Sequence, residues 1–289
     1  MNTDFREFLL TGERAAMRYS LAVPRTTAAT SAGLQLGARA GSSLEFKDHR
    51  DYQPGDDLRR IDWNAFARSD KLTIKLFREE ISPHLDLVID SSRSMAIEPG
   101  AKAQAAVALS AALSVAAENA GYSHSVWLAR EGCEPLANSS NRPSVWGEFQ
   151  FDFRQNPAES FSRVPPKFAR QGQRIFISDL LWLGEPLQLL QQLSHNASSV
   201  VVIQLLAETD LAPPERGRLR LVDSETEEQR EIFIDDAAIN RYRDALSRHQ
   251  QNWHRACRQV GATLIELVAE PMLTTWNLEA LVKADVIKA

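Results

Sequence analysis

Short apolar runs that stop at an acid recur along this chain. Leu85 to Ile89 is dominated by Leu, Val and Ile and ends at Asp90. Gln173 to Asp179, QRIFISD, repeats the arrangement, and Ser199 to Leu206 is a third run. Continuous apolar stretches of this length predict strands buried on both faces of a parallel sheet. Ala101 to Ala120 is Ala, Val or Leu around most of its circumference and stops at Asn119 to Gly121, which predicts a helix packed on several sides. Tyr122 to Ala129 alternates as a strand, and a helix is expected over Glu185 to Leu193. Gly147 to Phe153 alternates strongly and predicts an edge strand. Arg218 to Val222 and Arg230 to Ile234 flank Asp223-Ser-Glu-Thr-Glu-Glu228, a hairpin with an acidic tip. Asp236 is read as the cap of a long helix, Ala237 to Val260, that Gly261 stops. Thr263 to Val268 is a last strand and Leu278 to Ile287 a short final helix.

The first part of the chain has another character. Phe5, Phe8, Leu9, Ala16 and Met17 fall at helical spacing, and Pro24 ends any helix there. Residues 26–43 are rich in Thr, Ala, Ser and Gly and predict a loop or a weak extended segment. Residues 44–83 mix charges of both signs with aromatics. Tyr52 to Asp56 predicts a turn, Asp56 or Asp57 a cap, and Leu72, Ile74 and Leu76 one side of a half-buried strand. Trp63, Phe66 and Phe77 among so many charges suggest an ion-pair network against an aromatic patch; the plain alternative is a solvated surface segment. The order of elements predicts an α/β sheet with helices on both faces over about residues 82–289. Residues 1–81 are expected to form an N-terminal extension packed on it.

Composition narrows the classes. A chain of 289 residues with 44% apolar and 25% charged residues is balanced like an ordinary globular protein. A net charge of -5 gives a nucleic-acid role no electrostatic support. No uninterrupted apolar run is long enough to span a bilayer, and the first twenty residues have no signal-peptide core. Cys133 and Cys257 lack metal or redox spacing, so a cytoplasmic protein with free interior thiols is expected. His249 and His254 are five apart, which does not put two ligands on one helix face.

The candidate chemistry lies at the strand ends, where open α/β sheets bind ligands. Asp90, Ser92 and Ser94 alternate, so a gently curving loop can turn all three oxygens to one side. Carboxylate and hydroxyl oxygens are hard donors that suit Mg2+, with Mn2+ as a substitute. The bland alternative is that these groups cap the next segment through backbone hydrogen bonds, and that Asp179 caps the helix after it. A phosphatase of the Asp-x-Asp kind needs a second carboxylate as general acid, and position 92 is Ser. Neither a Gly-x-Ser-x-Gly elbow nor a phosphate-binding Gly-x-x-x-x-Gly-Lys-Ser/Thr loop occurs.

Asp90-x-Ser92-x-Ser94 after an apolar strand resembles the metal-ion-dependent adhesion site of von Willebrand factor A-like domains. Ahead of it run Glu45-Phe46, Arg50, Tyr52-x-Pro54-Gly55-Asp56-Asp57-x-Arg59-x-Ile61-Asp62-Trp63, Ala67-Arg68, Lys71-Leu72, Lys75 and Glu80. This ordered signature resembles the domain of unknown function 58 family of bacterial proteins. The resemblance implies a von Willebrand A-like (Rossmann-like), mostly parallel sheet over 82–289 behind a signature segment in 1–81. It implies a non-enzymatic interaction module or adaptor for a MoxR-type AAA+ ATPase. It also implies that Asp179 completes the metal site. The family's third metal loop usually offers Thr; here Ser160 is the candidate, with Ser162 second. Many relatives carry N-terminal membrane helices, which this sequence does not show. A cation held by Asp90, Ser92, Ser94, Asp179 and Ser160 would leave one position for a partner carboxylate. The competing readings are a Mg2+-dependent hydrolase or phosphatase, and a scaffold whose metal site is vestigial.

Overall fold

The computed structural model describes residues 4–22, 44–79, 83–97, 100–212 and 216–289. The expected loop at 26–43 lies outside them. The chain forms two compact units: Thr30–Ser82, and Met1–Ala29 together with Pro83–Ala289.

The larger unit opens with α1 (Arg6–Ala15) and the two-residue strand β1 (Ser20–Leu21). In the smaller unit β2 (Leu44–Asp51) pairs antiparallel with β3 (Thr73–Glu79), with an irregularity between Phe46 and Asp48. Between them Asp57 accepts from the amide of Arg59, and Asp62 caps α2 (Trp63–Ser69) by accepting from the amides of Asn64 and Ala65. Charges of the signature segment pair locally: Arg50 with Asp56 at 2.7 Å, and His49 with Asp62 at 2.7 Å. Lys75 stands 3.6 Å from the same Asp62. Hydrogen bonds from His49 and from the cap amide of Ala65 hold the Asp62 carboxyl down at about 2. The rings of Trp63 and Phe66 meet edge to face.

The larger unit continues with β4 (His84–Asp90), α3 (Ala101–Asn119), β5 (Ser123–Ala129) and β6 (Cys133–Pro135). Next come α4 (Pro157–Arg163), β7 (Gln173–Ser178), α5 (Pro186–Ser194), β8 (Ser199–Leu206) and α6 (Glu208–Leu211). The hairpin β9 (Gly217–Val222) and β10 (Gln229–Ile234) leads to α7 (Asp236–Val260) and β11 (Thr263–Val268). The described chain ends with α8 (Ala269–Thr275), α9 (Glu279–Lys283) and β12 (Ile287–Lys288).

Six strands form one sheet in the order β11-β8-β7-β4-β5-β6. All neighbours run parallel except the β5–β6 edge pair. The chain steps from β4 outward to β5, then returns to the opposite side of β4 with β7. The carboxyl ends of β4 and β7 thus flank the switch point of a doubly wound sheet.

Both faces are covered, as runs of unbroken apolar residues require. Leu85, Leu87, Ile89, Ile175 and Ile177 face a core shared with α3, Met272 on α8 and Leu281 on α9. Val88, Phe176, Val200 and Val202 face the other core, with Phe161, Leu189, Leu193, Trp253 and Cys257. Fifteen of the nineteen residues of α3 are buried, which its small side chains permit. α1 lies on α3 so closely that a Cβ at Gly12 would collide with the carbonyl of Ala108. β1 pairs with β12, tying the segment after α1 to the last described residues.

Three expectations are corrected. Gly147–Phe153 is not a strand; its alternation records burial of Phe149 and packing of both Phe149 and Phe151 against Phe5, while β6 forms the sheet edge. Leu278–Ile287 divides into a five-residue helix and a strand residue paired with β1. Asp235, rather than Asp236, caps α7 by accepting from the amide of Ala238.

Candidate functional site

β4 carries six buried residues in succession and delivers Asp90 to the carboxyl edge with no exposed surface. Its two oxygens are both engaged. Oδ1 accepts from the Ser92 amide at 2.8 Å, and Oδ2 accepts from the Ser178 hydroxyl at 2.5 Å. Ser178 ends β7 and in turn accepts from the amide of Leu180 at 2.9 Å. The hydroxyls of Ser92 and Ser94 lie 2.9 Å apart. Burial, then the charge of neighbouring Asp179, pushes the Asp90 carboxyl up to about 7, although bonds from Ser178 and Ser92 act the other way. Among the described residues no ion pair neutralises Asp90.

Asp179 follows β7 and is also buried. Its Oδ1 accepts from the Leu181 amide at 3.0 Å, and its backbone carbonyl accepts from Gln204 at 3.1 Å. It does not cap α5, whose N-terminal Glu185 makes no side-chain cap. Oδ2 of Asp179 is 2.8 Å from the ammonium of Lys102, which also reaches Asp210 at 3.1 Å. Lys102 stands in the first turn of α3 and is only 3% exposed. Burial alone would lower its pKa, but Asp179 and then Asp210 outweigh it and the ammonium is raised. This buried ion cluster is the feature of the site that sequence reasoning missed. A lone Lys in an Ala-rich helix reads as a solvent-facing residue, and its acidic partners are distant in sequence.

Ser160 lies on α4, fully buried, and its hydroxyl donates to the carbonyl of Arg130 at the end of β5. Ser162 donates to its own helix at Ala158. The structure therefore brings Asp90, Ser92, Ser94 and Asp179 to one edge, and directs the proton of Ser160 to a backbone carbonyl. Among the described residues no group of three or more His, Cys, Asp or Glu could hold a metal.

The donor set nonetheless fits a hard cation at Asp90. Two carboxylates repel each other there, hydroxyl oxygens stand beside them, and the buried charge of Asp90 lacks a counter-ion. Asp90, Ser92 and Ser94 would be the ligands of such an ion. Asp179 is already paired with the Lys102 ammonium.

The surroundings of the site are both charged and apolar. Arg93, inside the Asp90 loop, is 3.0 Å from Glu227 at the tip of the β9–β10 hairpin. Arg154 reaches the same Glu227 oxygen at 2.8 Å. Glu225 of that tip is half-buried, and burial, Asp223, Asp179 and Glu159 raise its carboxyl. Leu183 is 95% exposed, with Leu181 and Ile97 on the loops and Leu211 at the end of α6 also exposed at the same edge. His249 of α7 lies 2.6 Å from the Leu180 carbonyl and so belongs to the support of this loop. Burial pushes the thiols of Cys133 and Cys257 up to about 12, so neither is a nucleophile.

Fold and site together define a doubly wound α/β protein with paired carboxylates and hydroxyls at its switch point. The chain belongs to a family of matching description, "Protein of unknown function DUF58", over residues 48–252. It is 26% identical over 249 residues to the uncharacterized protein Rv1480 of Mycobacterium tuberculosis (strain ATCC 25618 / H37Rv), covering 81% of this chain and 78% of that one. The same figures hold for the uncharacterized protein Mb1516 of Mycobacterium bovis. Among solved structures it is similar to the conserved hypothetical protein BatB from Bacteroides thetaiotaomicron, with 9% identity and a TM-score of 0.34, covering 70% of this chain and 98% of that one. An aerotolerance-related membrane protein from Bacteroides fragilis NCTC 9343 gives 10% identity and a TM-score of 0.34, covering 70% and 99%. No helix among the described residues is long and apolar enough to cross a membrane.

Proposed function

We propose that this chain is a non-enzymatic protein-interaction module of the von Willebrand A-like kind, binding through the carboxyl edge of its sheet. One observation carries the reading: the buried, uncompensated carboxyl of Asp90 beside paired serine hydroxyls, rimmed by exposed leucines. The charged centre gives selectivity, and Leu183, Leu181 and Leu211 give apolar contact that a lone soluble surface does not need. Mg2+ is the cation of this reading, with Mn2+ as substitute; bound at Asp90, Ser92 and Ser94, it would offer a free position to a partner's Asp or Glu. The partner is a MoxR-type AAA+ ATPase, the association that the family resemblance implies, and the setting is the cytoplasm.

The test is capture of that ATPase by the native chain and by Asp90→Ala, in Mg2+ and in excess chelator. Capture lost in chelator and in the variant, with the circular dichroism spectrum retained, is the expected result. Capture that ignores both would remove the metal from the reading. A second reading has its own support: the Lys102 ammonium already occupies Asp179, as in a scaffold whose metal site is vestigial. Calorimetry separates the two, since the scaffold takes up neither Mg2+ nor Mn2+. Phosphoester turnover lost in Asp90→Asn would favour the hydrolase instead.

A further inference from the structure

The β9–β10 ribbon stands outside the main sheet, and most of its residues are exposed. Its tip nevertheless meets the site loop. The Glu227 carboxylate receives Arg93 and Arg154 together. The two segments that carry these arginines are joined through the backbone, independently of the tip. The Arg93 amide donates to the Phe153 carbonyl at 2.8 Å, and the Phe153 amide donates to the Ser91 carbonyl at 3.2 Å. Ser92 and Phe153 form a parallel bridge between those bonds. Two guanidinium groups carried on joined segments repel each other unless an anion lies between them. The pair is thus a prebuilt carboxylate receptor at the edge of the Asp90 site.

The tip is shaped to fill it. Asp223 accepts from the amides of Glu225 and Thr226 and so closes the turn. Glu227 has a φ of 63°, a left-handed conformation in which Gly or Asn is ordinarily found. A turn needing only to reverse the chain would carry one of those residues. The Glu there accepts a backbone cost, and its side chain has a use that offsets it. Burial, then the charges of Asp223, Asp179 and Glu159, raise the carboxyl of Glu225 in the same tip. The tip is held to the site loop by the arginines. Exposed ion pairs are individually weak, so this occupant is releasable.

We infer that Arg93 and Arg154 form a carboxylate-binding subsite, that Glu227 is its built-in occupant, and that an acidic segment of a protein partner displaces the tip to bind there. This rests on the reading of the sheet edge as a protein-docking surface and names the chemistry of its partner. The tethered Glu227 has an effective concentration on the order of millimolar. A single free carboxylate does not compete with that; an acidic segment making several contacts does.

The test uses the full chain in chelator, so that the metal plays no part. The probe is a fluorescein-labelled decaglutamate peptide read by anisotropy at low salt. Glu227→Ala frees the arginines, and Glu228→Ala is its charge-matched control. Glu227→Ala is expected to bind the peptide up to about fivefold more tightly than the native chain, the scale of one exposed ion pair. Glu228→Ala gives no gain, and adding Arg93→Gln with Arg154→Gln to Glu227→Ala abolishes it. Hydrogen exchange across residues 217–234 rises in Glu227→Ala, which reports release of the tip without any ligand. Equal binding by Glu227→Ala and native chain, an equal gain in Glu228→Ala, a gain that survives loss of both arginines, or unchanged exchange would each overturn the inference. Those outcomes leave Mg2+-dependent capture of the ATPase intact, whereas loss of the docking reading appears in the capture experiment alone.

Discussion

Replacing Lys102 with Met removes the ammonium that joins Asp179 and Asp210 while keeping most of the apolar stem. Lys102 and Asp179 are 3% and 1% exposed at the side chain, and Asp210 is 19% exposed. Taking one partner out of a buried pair costs about 3–5 kcal/mol, because the remaining charge is left without compensation. Asp210 can rehydrate, so the lower end applies, about 3 kcal/mol. At roughly 2–4 °C per kcal/mol for a unit of this size, Lys102→Met should melt about 6–12 °C below the native chain. The assay is thermal unfolding by circular dichroism in chelator at neutral pH. Adding Asp179→Asn to Lys102→Met should recover part of the loss, since the uncompensated charge goes with it. A Lys102→Met midpoint within about 2 °C of native would refute the reasoning, for it would mean the buried pair offsets no more than its own desolvation.

In chelator, Asp90→Asn should raise the melting temperature, because it removes a buried charge facing Asp179 while keeping a carbonyl for the Ser92 amide; no rise, or a fall, would mean that Asp90 is already compensated. Gly12→Ala should destabilise by about 1–3 kcal/mol through overpacking against Ala108, with faster hydrogen exchange confined first to α1. Asp62 has a folded pKa of about 2, below its unfolded value of about 3.9. Its stabilising effect is therefore full above that unfolded value and lost as pH falls toward 2. The Trp63 indole resonance should report loss of local order across this window, and the change should move or vanish in Asp62→Asn.

The sheet was largely legible because its strands are buried on both sides. Leu85–Ile89, Gln173–Ser178 and Ser199–Leu206 need no partner to declare themselves, and each sits where the runs predict. Asp90 and Asp179 were legible for the same reason, as polar residues terminating apolar runs. Lys102 was not, since its meaning depends on Asp179 and Asp210, which the fold alone brings near. Ser178 was visible as part of a Ser-Asp pair, but its bond across to Asp90 requires knowing that β7 lies beside β4. The aromatic alternation of Gly147–Phe153 misled because burial against α1 and pairing in a sheet leave the same period in a sequence. The β1–β12 pair is two residues long on each side, too short for any periodicity.

The two interior thiols give this protein an intrinsic clock for its own opening. Cys133 lies in the sheet-edge strand and Cys257 near the end of α7, and neither meets solvent in the closed chain. A disulfide reagent such as Ellman's compound should therefore react only as fast as each region breathes. The two rates, resolved by peptide mapping, would compare the edge of the sheet with its covering helix without introducing a label.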